Sequence, residues 1–422
     1  MKVLWIVNTI FPYPAQQLNS EQSCFGGWAH SLFNSIKKID NIPFCIVATY
    51  SGKKLKRFTD ANDTYYLIPN SNENRYNAAL KKYWKIIIED YHPDIVHIHG
   101  TEYPKSLPLI ELYPNLNYVV SIQGFLTSYW RVANANLEFK TLLKNLTIRD
   151  VLKPKTGYLV QSDLKNRAKY EQIIIKKVKN VIGRTDWDKA QVLALNPDLN
   201  YYQGEENLRE CFYNSVWDGK KIDNYTIFFS QAQAILKGFY LMIEALKIIK
   251  IKYPTVKVVV AGNDILDDSS IKKKIKRQSY TKYLQKLIKK YDLKNNIVFT
   301  GYLNAEEYKK RLLKSHVYVQ ASSIENSSNS LGEAMILGVP CVASNVGGTS
   351  TMLVDKKEGF LFPYTEPELL AYYVEKYFED AKLCTEMGKN ARIHAIKRHD
   401  WNNNAETTIK TYNSILKREN KK

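Results

Sequence analysis

SHVYVQASSIENSSNSLGEAMILGVPCVASNVGG, residues Ser315 to Gly348, places a strand, a polar loop, a helix and a second strand in direct succession. Val317 and Val319 alternate with polar neighbours as in a strand, Ser322 to Ser330 is a polar loop, and Leu331, Ala334, Met335 and Leu337 recur at helical spacing. Gly338 stops the helix, and Pro340 opens the strand CVAS. The unit predicts an open parallel sheet with helices packed on it.

The loop carries the chemistry. Asn329 and Ser330 fall at the helix N-terminus, where unpaired backbone N–H groups and the helix dipole favour an anion such as a diphosphate. Glu325 precedes the helix and Glu333 lies about one turn inside it, so two hydroxyl acceptors flank the anion site. An anion cradle with two carboxylates suits a sugar nucleotide better than ATP chemistry, which needs a lysine-bearing phosphate loop and a metal carboxylate. The same residues also fit a purely structural role, with Asn329 and Ser330 capping the helix and Glu333 as a first-turn acid.

Glu325 and Glu333, with seven residues between them, are followed by Ala334, Gly338, Pro340 and the Gly347-Gly348 pair. This pattern closely resembles the donor-site signature of glycosyltransferase family 4, retaining enzymes of the GT-B fold. The resemblance implies an α/β chain of two Rossmann-like domains facing one another across a cleft, with a C-terminal helix crossing back to the first domain.

Length and composition agree with two domains. At 422 residues the chain exceeds one ordinary domain, and 45% hydrophobic with 24% charged residues is a globular composition. The expected division is 1–217, 218–400 and a terminal helix in 401–422, because the polar DGKKIDN at Asp218 to Asn224 separates two runs of strand and helix. No apolar run approaches the roughly 20 residues of a membrane span, and MKVLWIVNTIF reads as a first strand rather than a leader. Five cysteines, odd in number and widely spaced, indicate neither a disulfide framework nor a zinc site, so a reducing cytoplasmic compartment is expected.

The formal charge of +19 calls for anionic partners. Its densest run, Ile271 to Lys290, suits a surface helix with a solvated basic face; peripheral binding to an anionic membrane is the functional alternative. Nucleic acid is not expected as a partner, because no recognised nucleic-acid module accompanies the charge.

In chain order, Lys2 to Val7 is a buried strand, and Gly26-Gly27 precedes a helix over Trp28 to Ile39. A glycine pair there lets the backbone approach a phosphate, and the resemblance assigns Gly26 and Gly27 to the donor diphosphate. DIVHIHG puts His97 and His99 on one strand face, read as buried histidines, with His99 at the carboxyl end where ligands gather. The next strand, Tyr118 to Gln123, ends in Gln123 where many family members carry a histidine beside the donor sugar. In the loop that follows, Phe125, Tyr129, Trp130 and Arg131 serve either packing or an acceptor sugar. Asp186-Trp187-Asp188 is read as helix capping, with Thr185 or Asp186 as the cap, against the alternative of a metal-holding Asp-x-Asp pair.

Lys237-Gly238 resembles the family's Lys-Gly motif, whose lysine neutralises donor phosphates. Ser230-Gln231 stand where most members have Gly-Arg, so Arg184 or Lys237 is left to carry the diphosphate. The resemblance thus implies Glu325 on the donor sugar with Lys237 as the catalytic cation. It implies Glu333 on the ribose and Gly26, Gly27, Asn329 and Ser330 on the donor, where Arg184 is a further candidate. His99, Gln123, Trp130 and Arg131 are the acceptor or sugar-side candidates. The expected reaction is metal-independent retaining transfer of a hexosyl unit from a UDP- or GDP-sugar, without a further cofactor. The acceptor is a glycan, lipid-linked, at the inner face of the cell membrane in surface polysaccharide assembly. The rivals are a non-hydrolysing nucleotide-sugar epimerase on the same fold and a non-enzymatic anion or nucleic-acid binder.

Overall fold

The computed structural model describes residues 1–19, 27–70, 72–147, 149–150, 157–267, 269–270 and 277–419. They form two compact units. The first comprises Met1–Ser128, Asp163–Leu208 and His399–Lys422; the second comprises Tyr129–Ser162 and Arg209–Arg398.

The first unit is built on eight strands: β1 Val3–Ile6, β2 Phe44–Tyr50, β3 Lys56–Asp60, β4 Asp63–Pro69, β5 Ile95–His99, β6 Tyr118–Ser121, β7 Asn180–Gly183 and β8 Asn200–Gln203. Their order is β3-β4-β2-β1-β5-β6-β7-β8, parallel throughout except for the β3–β4 pair. VLWI of β1 and IVHIH of β5 are buried at every position, as required of strands with both faces covered. β3, KRFTD, is an exposed polar edge that the sequence reading missed, since charged edge residues show no apolar alternation. The chain runs outward from β1 to β2 and returns to β5 on the other side, so the switch in strand order falls between β1 and β5.

The C-terminal helix, Trp401–Glu419, belongs to this first unit, as expected. Ala405, Tyr412 and Ile415 join the core cluster formed by Val3, Trp5 and Phe44. Tyr412 is the polar centre of that docking. Trp5 Nε1 donates to its hydroxyl at 2.9 Å, His97 Nδ1 lies 2.6 Å from the same oxygen, and His97 Nε2 is 2.6 Å from Ser121 Oγ. The fully buried His97 is thereby satisfied on both sides, and burial lowers its pKa to about 3.

The second unit carries six parallel strands: β9 Thr226–Phe229, β10 Lys257–Val260, β11 Ile297–Phe299, β12 Val317–Gln320, β13 Cys341–Ser344 and β14 Phe360–Phe362. The order β11-β10-β9-β12-β13-β14 puts the switch between β9 and β12. In such sheets ligands bind beyond the carboxyl ends of the strands at the switch.

The division departs from the sequence expectation in two places. The second unit begins at Arg209 rather than Asp218, and Tyr129–Ser162 leaves the first half of the chain to join it. That excursion is held by specific polar contacts. The Tyr240 and Tyr364 hydroxyls both donate to Ala135 O, at 2.7 and 3.0 Å, and Ser279 N donates to Asp150 Oδ2 at 3.0 Å. These partners stand more than a hundred positions apart, so no local periodicity reports them.

Candidate functional site

The loop after β12 and the turn after β9 meet at the switch point of the second unit. Lys237 closes a short turn, Ile235–Lys237, and its Nζ lies 2.5 Å from Glu325 Oε1. Ser322 Oγ donates to the same oxygen at 2.6 Å. The backbone is clamped around this pair: Ser323 N donates to Leu236 O at 2.8 Å, and Gly348 N to Glu325 O at 2.9 Å.

Two glycines make the clamp sterically necessary. Gly238 sits at φ +67°, and a Cβ there would lie 1.8 Å from Ala321 O. Gly347, at φ +53°, would place a Cβ 2.0 Å from Glu325 O. Both positions combine a left-handed backbone with a close approach that no side chain survives. The glycine of Lys237-Gly238 and the first of Gly347-Gly348 therefore fix where Lys237 and Glu325 stand.

The helix over Asn329–Leu337 begins at this loop. Its N-cap is Ser328, whose Oγ accepts from Leu331 N at 3.4 Å, so Asn329 and Ser330 are first-turn residues and not the cap. Both are half-buried, and Ser330 Oγ receives a hydrogen bond from Tyr318 at 2.9 Å. Glu333, further along the helix, is buried and paired with Arg209. The guanidinium donates Nε to Oε1 and Nη2 to Oε2, each at 2.6 Å, a bidentate geometry. The guanidinium also lies over the rings of Phe212 and Tyr308, 4.8 and 5.0 Å from their centroids. Burial pushes the Glu333 carboxyl above the ordinary range, and Arg209 pulls it back. Arg209 escaped the sequence reading because 124 positions separate it from its partner.

The first unit holds Arg184, His99, Gln123 and Gly27. Arg184 is buried, with Nη1 at 2.6 Å from the buried Glu206 and Nη2 donating to the carbonyls of Ile122 and Gln123 at 2.8 and 3.0 Å. Its positive charge is thus paired with Glu206 inside the first unit. His99 lies at the carboxyl end of β5, 1% exposed, and among the described residues neither ring nitrogen has a hydrogen-bond partner. Burial, followed by the neighbouring His97, holds its pKa well below the usual value. His99 and Gln123 line one small cavity together with Trp28. Gly27 opens the helix Gly27–Ile39, where a Cβ would meet nothing within 4 Å; Gly26 lies outside the described residues.

Phe125 is fully buried in the first unit's core and so packs, while Trp130 and Arg131 form a short turn of the excursion in the second unit. Thr185 caps the helix Asp186–Leu195 by accepting from Asp188 N at 3.1 Å. Asp188 is buried in the first turn, where its carboxylate accepts from Arg184 N and the Tyr201 hydroxyl. Asp-Trp-Asp is thus a capping element. Among the described residues no three histidine, cysteine or acidic side chains cluster as a metal site. Also among them, no helix is long and apolar enough to cross a membrane.

Comparison with known proteins agrees with this architecture. Residues 217–394 match the family model for glycosyl transferases group 1. The chain is 30% identical over 374 residues to a trehalose synthase of Thermococcus litoralis, covering 86% of this chain and 75% of that protein. It is 27% identical over 238 residues to the putative glycosyltransferase YtcC of Bacillus subtilis, a match that spans only 56% of either chain. Among solved structures, the sucrose-phosphate synthase of Thermosynechococcus elongatus superposes with a TM-score of 0.73 at 13% identity, over 99% of both chains. The chain belongs to the group 1 glycosyltransferases, and its fold is GT-B.

Proposed function

We propose that the chain transfers a hexosyl unit from a nucleotide-diphosphate sugar to a glycan acceptor with retention of configuration. The observation that carries this reading is the Lys237–Glu325–Ser322 cluster at the β9–β12 switch point, beside the tip of the helix Asn329–Leu337. A departing diphosphate needs positive charge placed in advance, and Lys237 with the first-turn amides near Asn329 and Ser330 supplies it. Glu325, held by Lys237 and Ser322, accepts hydrogen bonds from the donor sugar in this reading. Glu333, oriented by Arg209, accepts them from the ribose. The chemistry is positioning and leaving-group stabilisation, in a form that asks for no metal.

The anionic donor and a lipid-linked acceptor at the inner face of the membrane both suit a chain of formal charge +19. His99 and Gln123 in the first unit remain the acceptor-side candidates, with Trp130 and Arg131 of the excursion.

Slow turnover of UDP- and GDP-hexoses in water, followed by proton NMR, tests the reaction. Release of nucleoside diphosphate with a sugar of retained anomeric configuration supports transfer, and Lys237→Ala should slow it about tenfold to a hundredfold. An intact nucleotide sugar of altered configuration would instead identify an epimerase.

A further inference from the structure

Of the basic run 271–290, residues 271–276 lie outside the described residues, and the remainder carries the helix Ser279–Lys290 in the crossover from β10 to the edge strand β11. Tyr280, Leu284, Leu287 and Ile288 are buried, so the apolar face of this helix is committed to the second unit's own core. Lys282, Lys286 and Lys289 follow one another at spacings of four and three along the other side, and the helix holds no acidic residue. Among the described residues no carboxylate pairs with any of the three. Lys247 and Lys250 of the adjoining helix Phe239–Lys252, by contrast, are matched by Glu244 and Asp292.

The excursion Tyr129–Ser162 completes this surface. Its short helix Phe139–Leu143 packs against Ser279–Lys290, and Lys282 Nζ donates to Leu146 O at 3.2 Å. Leu142 is buried, while Lys140, Leu143 and Lys144 share the exposed face at helical spacing. Leu143 and Leu146 remain 44% and 38% exposed. Two leucines thus stand in water beside an unmatched stripe of lysines. The ammonium groups attract anionic oxygens, and the leucines gain only where an apolar phase adjoins those oxygens. A bilayer with anionic headgroups supplies both. Nucleic acid supplies the anions alone and would leave the leucines where they are.

We infer that this face, the lysine stripe of Ser279–Lys290 with Leu143 and Leu146 beside it, docks the chain on an anionic lipid surface. The inference rests on the lipid-linked acceptor proposed above for its purpose, though not for its geometry, and deepens it by assigning the bilayer contact to the second unit. The excursion, foreign to that unit's own sheet, becomes the part that meets the lipid.

Flotation of the full-length chain with vesicles of phosphatidylcholine, alone or mixed with phosphatidylglycerol, tests it. The chain should float with the mixed vesicles only, and less so as salt is raised. Lys286→Gln and Lys289→Gln should each weaken that binding about fivefold, and Leu143→Ser with Leu146→Ser about tenfold. Lys382→Gln with Lys389→Gln removes two exposed charges from the helix Ala381–Arg398, which follows β14 at the opposite edge of the sheet, and should leave binding nearly unchanged. Equal losses from the two lysine pairs, full binding by the leucine variant, or no flotation of the wild-type chain overturns the inference. Single-stranded RNA bound as tightly as the mixed vesicles, with no dependence on the leucines, overturns it in favour of a nucleic-acid surface. Turnover of a nucleotide sugar in water needs no vesicle and separates the two readings: turnover without flotation overturns the docking face alone, and flotation without turnover overturns the proposed transfer alone.

Discussion

Replacing Arg209 with methionine would strip the bidentate partner from Glu333, whose side chain is only 5% exposed. Removing one member of a buried ion pair costs about 3–5 kcal/mol, because the other charge is left unmatched. The Arg209 side chain retains 36% of its surface, so water entering the vacated place screens the orphaned carboxylate. A loss of about 2–3 kcal/mol is therefore expected, which at about 2–4 °C per kcal/mol lowers Tm by roughly 4–12 °C. The loss also has a pH signature. With Arg209 gone, burial acts on Glu333 unopposed and raises its folded pKa further above the unfolded value. A raised folded pKa contributes stability that is present below the unfolded pKa and lost as pH rises through the folded one. The deficit should accordingly be smaller near about pH 5 than near about pH 8. Calorimetry at both pH values on wild type, Arg209→Met, Glu333→Gln and the double variant measures it. The double variant should recover part of the loss, since neither charge is then left alone. A change within about 0.5 kcal/mol, the range of ordinary surface substitutions, would refute the reasoning.

Tyr412→Phe removes the hydroxyl shared by Trp5 and His97 and should destabilise the chain by about 1–3 kcal/mol, read as a lowered midpoint in urea. His97, with a folded pKa of about 3, supplies stability that is full above the unfolded imidazole value and is lost as pH falls below it. Between about pH 6 and pH 4, the free energy of His97→Gln should fall less steeply than that of wild type, by about 1.4 kcal/mol per pH unit. The comparison with wild type also cancels Glu171, whose carboxyl burial raises to about 7 and which acts in the opposite direction. Gly238→Ala should cost turnover with little change in Km for an acceptor, because a Cβ there drives into Ala321 O and displaces Lys237; unchanged turnover would show that the turn yields.

Much of the architecture was legible because it is written in local pattern. Buried strands such as VLWI and IVHIH announce themselves as apolar runs, and Gly338 and Pro340 punctuate the helix and strand where they stand. The polar edge β3 lacks any apolar signal, and nothing in the linear pattern sets the excursion at Tyr129–Ser162 apart from a contiguous first domain. Its anchors, the Tyr240 and Tyr364 hydroxyls on Ala135 O, carry no sequence spacing that could reveal them. The site divides in the same way. The Glu325–Glu333 spacing and the resemblance of Lys237-Gly238 put these three residues forward, but neither shows that Lys237 and Glu325 touch, nor that Arg209 holds Glu333. The pairing of Arg184 with the buried Glu206 is equally invisible in a linear reading.

The account stands most directly on whether Lys237 and Glu325 occupy a diphosphate site. Thermal unfolding of the full chain with and without saturating UDP, GDP and ADP, repeated on Lys237→Ala, decides it. One nucleotide at a hundredfold excess over its Kd should stabilise wild type by about 2.7 kcal/mol. Lys237→Ala should lose most of that gain, measured against its own unliganded melting temperature, which itself falls because Glu325 loses its cation. Equal stabilisation of both proteins, or of neither, would contradict the claim.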